Sequence, residues 1–118
     1  MRGLNEIDAV YLHRDIVDFR KSINGLSVIV EQTMELSLYS SAVFVFCNRS
    51  RDKLKVLYWD KTGFCLWYKR LEKDKFKWPR KHDWPTVSLS REELDWLLRG
   101  YDISHMQAHK KCDFSSVS

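Results

Sequence analysis

The feature that most constrains the fold is a series of three segments joined by short turns. Each segment is either continuously apolar or alternates between apolar and polar residues. The segments are Ala42 to Cys47, Lys53 to Trp59, and Phe64 to Leu71. The turns between them are polar, at 48–52 and 60–63, and Gly63 is predicted to supply the positive φ of the second. Strands this close in sequence pair antiparallel. The pattern predicts a meander, extended by a fourth strand at Phe76 to Trp78.

Two helices and two short strands surround this meander. Leu26, Ile29, Val30 and Met34 recur at helical spacing and predict a helix from about Gly25 to Leu36. Asp18, Ser22 and Asn24 are each candidates for the N-cap of this helix. The second helix is predicted at Arg91 to Arg99, because Ser90 and Glu93 form a capping box and Gly100 is a C′ residue. Short strands are predicted at Val10 to Leu12 and Thr86 to Leu89.

These elements predict an α+β fold: an antiparallel meander sheet of four to five strands packed with two main helices. The 118 residues are enough for one domain, which we place at residues 1–103. Residues 104–118 are predicted to be a disordered polar tail. Three cysteines without disulfide-like spacing, and no apolar run for a signal peptide or membrane span, indicate a cytoplasmic protein.

Charge is unevenly distributed along the chain. Residues 49–81 hold twelve basic and four acidic side chains, a net charge of +8, whereas the whole chain carries only +4. A basic middle with acidic flanks favours binding to phosphate or to an acidic protein surface.

Catalysis and metal binding have little support in the sequence. The acids Asp52, Asp60, Glu72 and Asp74 lie among basic residues in predicted turns, and no Gly-rich phosphate loop or nucleophile elbow is present. His105, His109 and Cys112 have helical spacing, but they lie in the predicted tail and lack an evident fourth ligand other than His82. We therefore predict no catalytic residue, metal or cofactor, and keep a metal-dependent nuclease only as a weaker alternative.

Basic residues interleaved with aromatic rings form the candidate nucleic-acid surface. If helices cover one face of the sheet, the open face carries Lys55 together with Lys69 or Arg70. Such a face suits phosphate contacts without sequence readout, and the alternative is a solvated sheet face above an aromatic core. The residues predicted to contact DNA are Arg20, Lys21, Arg49, Arg51, Lys53, Lys55, Lys69 and Arg70.

A second hypothesis is a protein adaptor that docks onto a partner protein through exposed aromatic residues. Tryptophan is enriched among the residues that dominate interface energetics. The residues predicted to serve as anchors are Trp67, Trp78 and Trp84. The sequence leaves DNA and protein open as the direct partner.

Three blocks of residues carry a family resemblance. They are Asp18 to Leu26; the meander from Val43 to Pro79; and Val87 to Asp102 with Leu94, Leu97, Leu98 and Gly100-Tyr101-Asp102. In these blocks the chain resembles the TnpB-type accessory proteins of IS sixty-six insertion sequences, which are distinct from the RNA-guided nuclease of the same label. Ser22 and the Lys73-Asp74-Lys75 turn depart from the family pattern, in which glycine is common.

The resemblance implies a non-catalytic accessory factor for transposition, encoded beside a larger transposase that holds the catalytic acids. The partners that it implies are the transposase and other proteins of the same element, with duplex DNA as a further candidate. It leaves the molecular mechanism and the oligomeric state open.

Overall fold

A computed structural model describes residues 7–79 and 84–102 of the chain. It contains five strands and two α-helices. The strands are β1 (Ala9–His13), β2 (Ala42–Cys47), β3 (Lys53–Asp60), β4 (Gly63–Arg70) and β5 (Thr86–Leu89). The helices are α1 (Ile23–Val28), continued by a π-helical turn (Ile29–Thr33), and α2 (Arg91–Leu98).

The five strands form one mixed sheet in the order β4-β3-β2-β1-β5. β2, β3 and β4 are the predicted antiparallel meander, and β5 pairs antiparallel with β1. β1 and β2 pair in parallel, because α1 and the π-helical turn connect them and return the chain to the same end of the sheet. The predicted α+β class, strand number and two main helices are confirmed.

Helices cover both faces of the sheet, so the expectation of one open face is wrong. On the first face, Leu26 and Val30 pack against Phe44, Phe46 and Leu57, and we call this the α1 face. On the opposite, α2 face, the apolar stripe of α2 packs on inward side chains of four strands. That stripe is Leu94, Leu97 and Leu98, and it contacts a cluster containing Val10, Val45, Val56 and Val87.

The predicted fourth strand is wrong. Phe76 to Trp78 does not join the sheet; the backbone N–H of Phe76 donates to the carbonyl of Arg51 (2.7 Å), which carries the chain across the end of the β3–β4 hairpin. Phe76 and Trp78 are then buried in the α2-side core. Burial of two large rings outweighs the pairing of a three-residue strand at an edge.

Local details differ from prediction in the first helix and in one turn. The first helix begins at Ile23, with Ser22 as N-cap, and its π-helical turn ends by Met34 because Glu35 adopts a φ of 56°. In the β3–β4 turn the left-handed residue is Lys61 (φ 51°) rather than Gly63. The capping box of Ser90 and Glu93 is confirmed, as is Gly100 in the left-handed region.

Candidate functional site

Two different surfaces lie at the opposite ends of the β3–β4 hairpin. At one end lie the β2–β3 turn at 48–52 and the Asp18–Lys21 segment, which together we call the basic end. At the other end, next to the β3–β4 turn, lie three mutually packed rings, Tyr39, Trp59 and Phe64, which we call the aromatic cluster. The predicted site residues divide between these ends and the two sheet faces.

At the basic end, Arg20 is tied to Asp18. Its Nη2 lies 2.6 Å and its Nε 2.9 Å from Asp18 Oδ2, and its backbone N–H donates to Oδ1. The hydrogen bonds from Arg20 lower the pKa of Asp18 to about 2. The guanidinium is exposed to solvent. Because it is already paired with the Asp18 carboxylate, a phosphate must displace that carboxylate in order to bind Arg20.

Replacing Arg20 with glutamine is expected to raise the pKa of Asp18 from about 2 toward its ordinary value of 3.8. A carboxyl whose pKa is depressed in the folded state stabilises the fold above pH 3.8, and that stabilisation is lost as the pH falls toward 2. A carboxyl-carbon NMR titration of both proteins measures the shift. An unchanged Asp18 midpoint in the variant would show that the ion pair does not form in solution.

Lys55 serves as an internal anchor. Its side chain lies on the α1 face, and its Nζ donates to the backbone carbonyls of Phe19 and Lys21, both at 2.9 Å. The ammonium also lies 4.8 Å from the centre of the Phe19 ring. Partial burial lowers the pKa of Lys55. Two of the resemblance blocks, the Asp18 segment and β3, therefore meet at this side chain.

Lys69 lies on the opposite, α2 face, since it pairs across the ladder with Leu54. Its Nζ donates to the carbonyl of Leu98 at 2.8 Å, at the C-terminal end of α2. A cation there satisfies a free helix carbonyl and the helix dipole. Lys69 and Lys55 therefore do not share a surface.

The remaining predicted cations differ in how they are held. Lys53 is 3.4 Å from Asp52, and Arg70 forms a 2.9 Å ion pair with the neighbouring Glu72. Arg51 is half-buried at a φ of 60°. Lys21 and Arg49 are exposed. No ion pair of Lys21 or Arg49 is found among the described residues, whereas the exposed Arg20 and Arg70 each pair with a carboxylate.

An open groove of about 500 Å³ lies beside Arg49 at the basic end. The 16–19 segment forms one wall, with Ile16 and Phe19 apolar, and Asn48, Arg49 and Ser50 form the other. The groove brings Arg49 near the segment that leads into Arg20 and Lys21. Of the eight predicted cations, Arg49 is the one that lines this groove, and the opposite wall ends at Phe19, one residue before Arg20.

The three predicted tryptophan anchors lie in three different environments. Trp78 is only 6% exposed, and its indole N–H donates to the carbonyl of Arg14 at 2.8 Å. Trp67 is half-buried against the α2-side core. Trp84 is 68% exposed. The expectation that Trp78 is exposed is therefore wrong, because this ring fills the core where the fourth strand was predicted.

The aromatic cluster was not predicted as a site. Trp59 and Phe64 are opposite each other in the β3–β4 ladder with centroids 4.9 Å apart, and Tyr39 packs on both at 5.1 and 5.8 Å. Tyr39 remains 65% exposed. The available sequence signal is a tyrosine in a serine-rich loop, between Leu38 and Ser40, where a large ring is not needed for the turn.

No group of three or more histidine, cysteine or acidic side chains is placed to hold a metal within residues 7–79 and 84–102. The candidate ligands His82, His105, His109 and Cys112 lie outside that range. In the same part of the chain, no helix is long and apolar enough to cross a membrane.

Comparison with known proteins gives a family and two relatives. A profile described as IS66 Orf2 like protein matches residues 8–108. The chain is 33% identical over 98 residues to the uncharacterized protein y4hO of Sinorhizobium fredii (strain NBRC 101917 / NGR234), covering 83% of this chain and 84% of that protein. It is 37% identical over 91 residues to the uncharacterized protein y4jC of the same strain, covering 77% of each. No solved structure gives a significant match.

The matched region includes each strand and helix that the structure describes, from β1 to α2. It also contains the Asp18 segment, its anchor Lys55, and the aromatic cluster. The chain belongs to the IS66 Orf2-like family and is a transposition-associated accessory protein.

Proposed function

We propose that this protein is a non-catalytic assembly factor that docks onto a protein of the transposition machinery through its aromatic cluster. The observation that carries the proposal is the exposure of Tyr39 on top of Trp59 and Phe64 at the tip of the β3–β4 hairpin. A rigid, partly exposed ring group is the kind of surface that dominates binding energy in protein interfaces.

The cations favour protein docking over DNA as the lead hypothesis. Lys55 and Lys69 are directed at backbone carbonyls of the protein itself, and they lie on opposite faces of the sheet. Arg20, Lys53 and Arg70 each have an adjacent carboxylate. A phosphate backbone must displace those partners, whereas the Tyr39 ring of the aromatic cluster is already 65% exposed.

Direct mixing with the transposase of the same element, after nuclease treatment, tests the proposal. We expect the two proteins to co-elute, and Tyr39→Ala to weaken binding by about 10- to 100-fold, the range of an interface hot spot. Tyr101→Ala is the matched control, because it removes the same type of side chain, 53% exposed, outside the cluster and outside the predicted anchors. Absence of complex formation, or equal loss in both variants, would remove the proposal.

DNA binding at the basic end is the second candidate, favoured by the exposed Lys21 and Arg49 beside the groove. It predicts affinity for element-end DNA that falls with salt, with a log–log slope close to the number of phosphates contacted. Complex formation that requires DNA and is lost on Arg49→Ala, but not on Tyr39→Ala, would place this function first.

A further inference from the structure

β4 is an edge strand with eight residues and no internal proline. Its ladder with β3 alternates between residues that hydrogen-bond to β3 and residues that do not. The bond from the Leu71 N–H to the Asp52 carbonyl (2.8 Å) fixes which residues are which. Every second residue before Leu71 repeats its arrangement, so the backbone N–H and C=O groups of the odd-numbered residues of β4 point toward β3. The backbone groups that face away belong to Phe64, Leu66, Tyr68 and Arg70.

The same four residues place their side chains on the α1 face, because they pair with Trp59, Leu57, Lys55 and Lys53. Phe64 and Leu66 are half-buried, and Tyr68 is 48% exposed. Val28 on the neighbouring α1 is 50% exposed. Within residues 7–79 and 84–102 no strand pairs with this outer edge of β4, and the edge is bordered by an apolar strip that begins at the aromatic cluster and ends at Arg70.

We propose that the partner protein adds an extended, acidic segment as a sixth strand along β4; this inference rests on the docking function proposed above. Strand addition satisfies the outward N–H and C=O groups of β4, and alternate side chains of the segment pack on the apolar strip.

Charge determines the chemistry of the added segment. Residues 60–77, which contain β4 and the turns at both of its ends, hold six basic and three acidic side chains, a net charge of +3. Lys61, Lys73 and Lys75 are exposed there, and the exposed Arg70 pairs with Glu72. A second copy of the chain would place a similar excess of positive charge against it, which destabilises cross-strand pairing. The sugar-phosphate backbone of DNA offers acceptors but no N–H donors in a row that could pair with the outward carbonyls. An acidic peptide segment satisfies both the charge and the backbone groups.

Amide hydrogen exchange tests strand addition directly. In the protein alone, the amides of Phe64, Leu66, Tyr68 and Arg70 are expected to exchange fast, and those of Cys65, Trp67 and Lys69 slowly. In the complex with the transposase, the outward amides are expected to slow by at least about tenfold as they gain partners. A complex that forms with these amides still fast would overturn strand addition and leave docking intact. No complex at all would overturn both.

Protection of the outward amides in the protein alone would also overturn the proposal, because a segment of this chain or a second copy would then occupy the edge. Light scattering separates those two cases. Slowing caused by duplex DNA without the transposase would assign the edge to nucleic acid instead.

A proline substitution isolates the backbone contribution. Tyr68→Pro and Tyr68→Ala both remove the ring, but only proline removes an outward N–H, and proline is tolerated at such edge positions. We expect Tyr68→Pro to bind the transposase about tenfold more weakly than Tyr68→Ala, as loss of one hydrogen bond predicts. Equal affinity of the two folded variants would overturn strand addition; should the proline variant not fold, the exchange experiment on the unmodified chain still decides.

A separate variant tests whether the added segment is acidic. Arg70→Glu reverses a charge at the end of the strip and is expected to weaken transposase binding by about tenfold at low salt, with a smaller effect at high salt. An affinity unchanged by this reversal would overturn the acidic assignment.

Discussion

Trp78→Ala is expected to lower the free energy of unfolding by about 3–5 kcal/mol, the usual cost of removing a buried aromatic side chain. The ring is 6% exposed and packs in the α2-side core together with Phe76. Its loss also leaves the carbonyl of Arg14 without the indole donor that it accepts from at 2.8 Å. Urea denaturation followed by circular dichroism measures the change.

Two further variants sharpen this test. Trp78→Phe keeps most of the buried volume and removes the indole N–H, so it should cost about 0.5–1.5 kcal/mol, the net contribution of one hydrogen bond. Trp84→Ala removes a ring that is 68% exposed and should change the free energy of unfolding by less than about 1 kcal/mol. Similar denaturation midpoints for Trp78→Ala and Trp84→Ala would contradict the buried position of Trp78.

The different burial of these two tryptophans could not be predicted from the sequence. A continuous apolar run predicted β2, partial alternation and flanking turn residues predicted β3 and β4, and the Ser90–Glu93 capping box predicted α2, because all of these signals are local. Trp78 lies in a short segment, Phe76 to Trp78, that precedes a proline. From sequence alone, this segment is equally compatible with an edge strand and with a crossover that fills the core. Only the packing of α2 on the sheet, a non-local contact, distinguishes the two.

The candidate site was harder to predict than the fold for a related reason. The alternation correctly grouped Lys53 with Lys55 on one face of β3, but it does not say what lies above that face. The acceptors for Lys55 come from residues 34 and 36 positions earlier in the chain. A lysine that looks like a phosphate contact in sequence can thus be an internal hydrogen-bond donor in the fold.

Lys55→Met is expected to lower the free energy of unfolding by about 1.5–3 kcal/mol, the range for hydrogen bonds that involve a charged group. Methionine keeps the aliphatic stem near Phe19 but leaves the carbonyls of Phe19 and Lys21 without their Nζ donor. Lys53→Met is the matched control on the same strand and face. Among residues 7–79 and 84–102 its ammonium pairs with the adjacent Asp52 carboxylate alone, at 3.4 Å, so its loss should cost less than about 1 kcal/mol. Equal effects of the two substitutions would contradict the anchor role.

The pH dependence of the Lys55 effect follows from its lowered pKa. Between that lowered value and the ordinary value of 10.5, the unfolded chain binds more protons at this residue than the folded chain does. Stability of the unmodified protein should therefore rise relative to Lys55→Met as the pH increases through this window. The neutral amine still carries two N–H groups, one for each carbonyl, so deprotonation does not release the Asp18–Lys21 segment. A stability difference between the two proteins that shrinks over that window would show that the hydrogen bonds require the charged form.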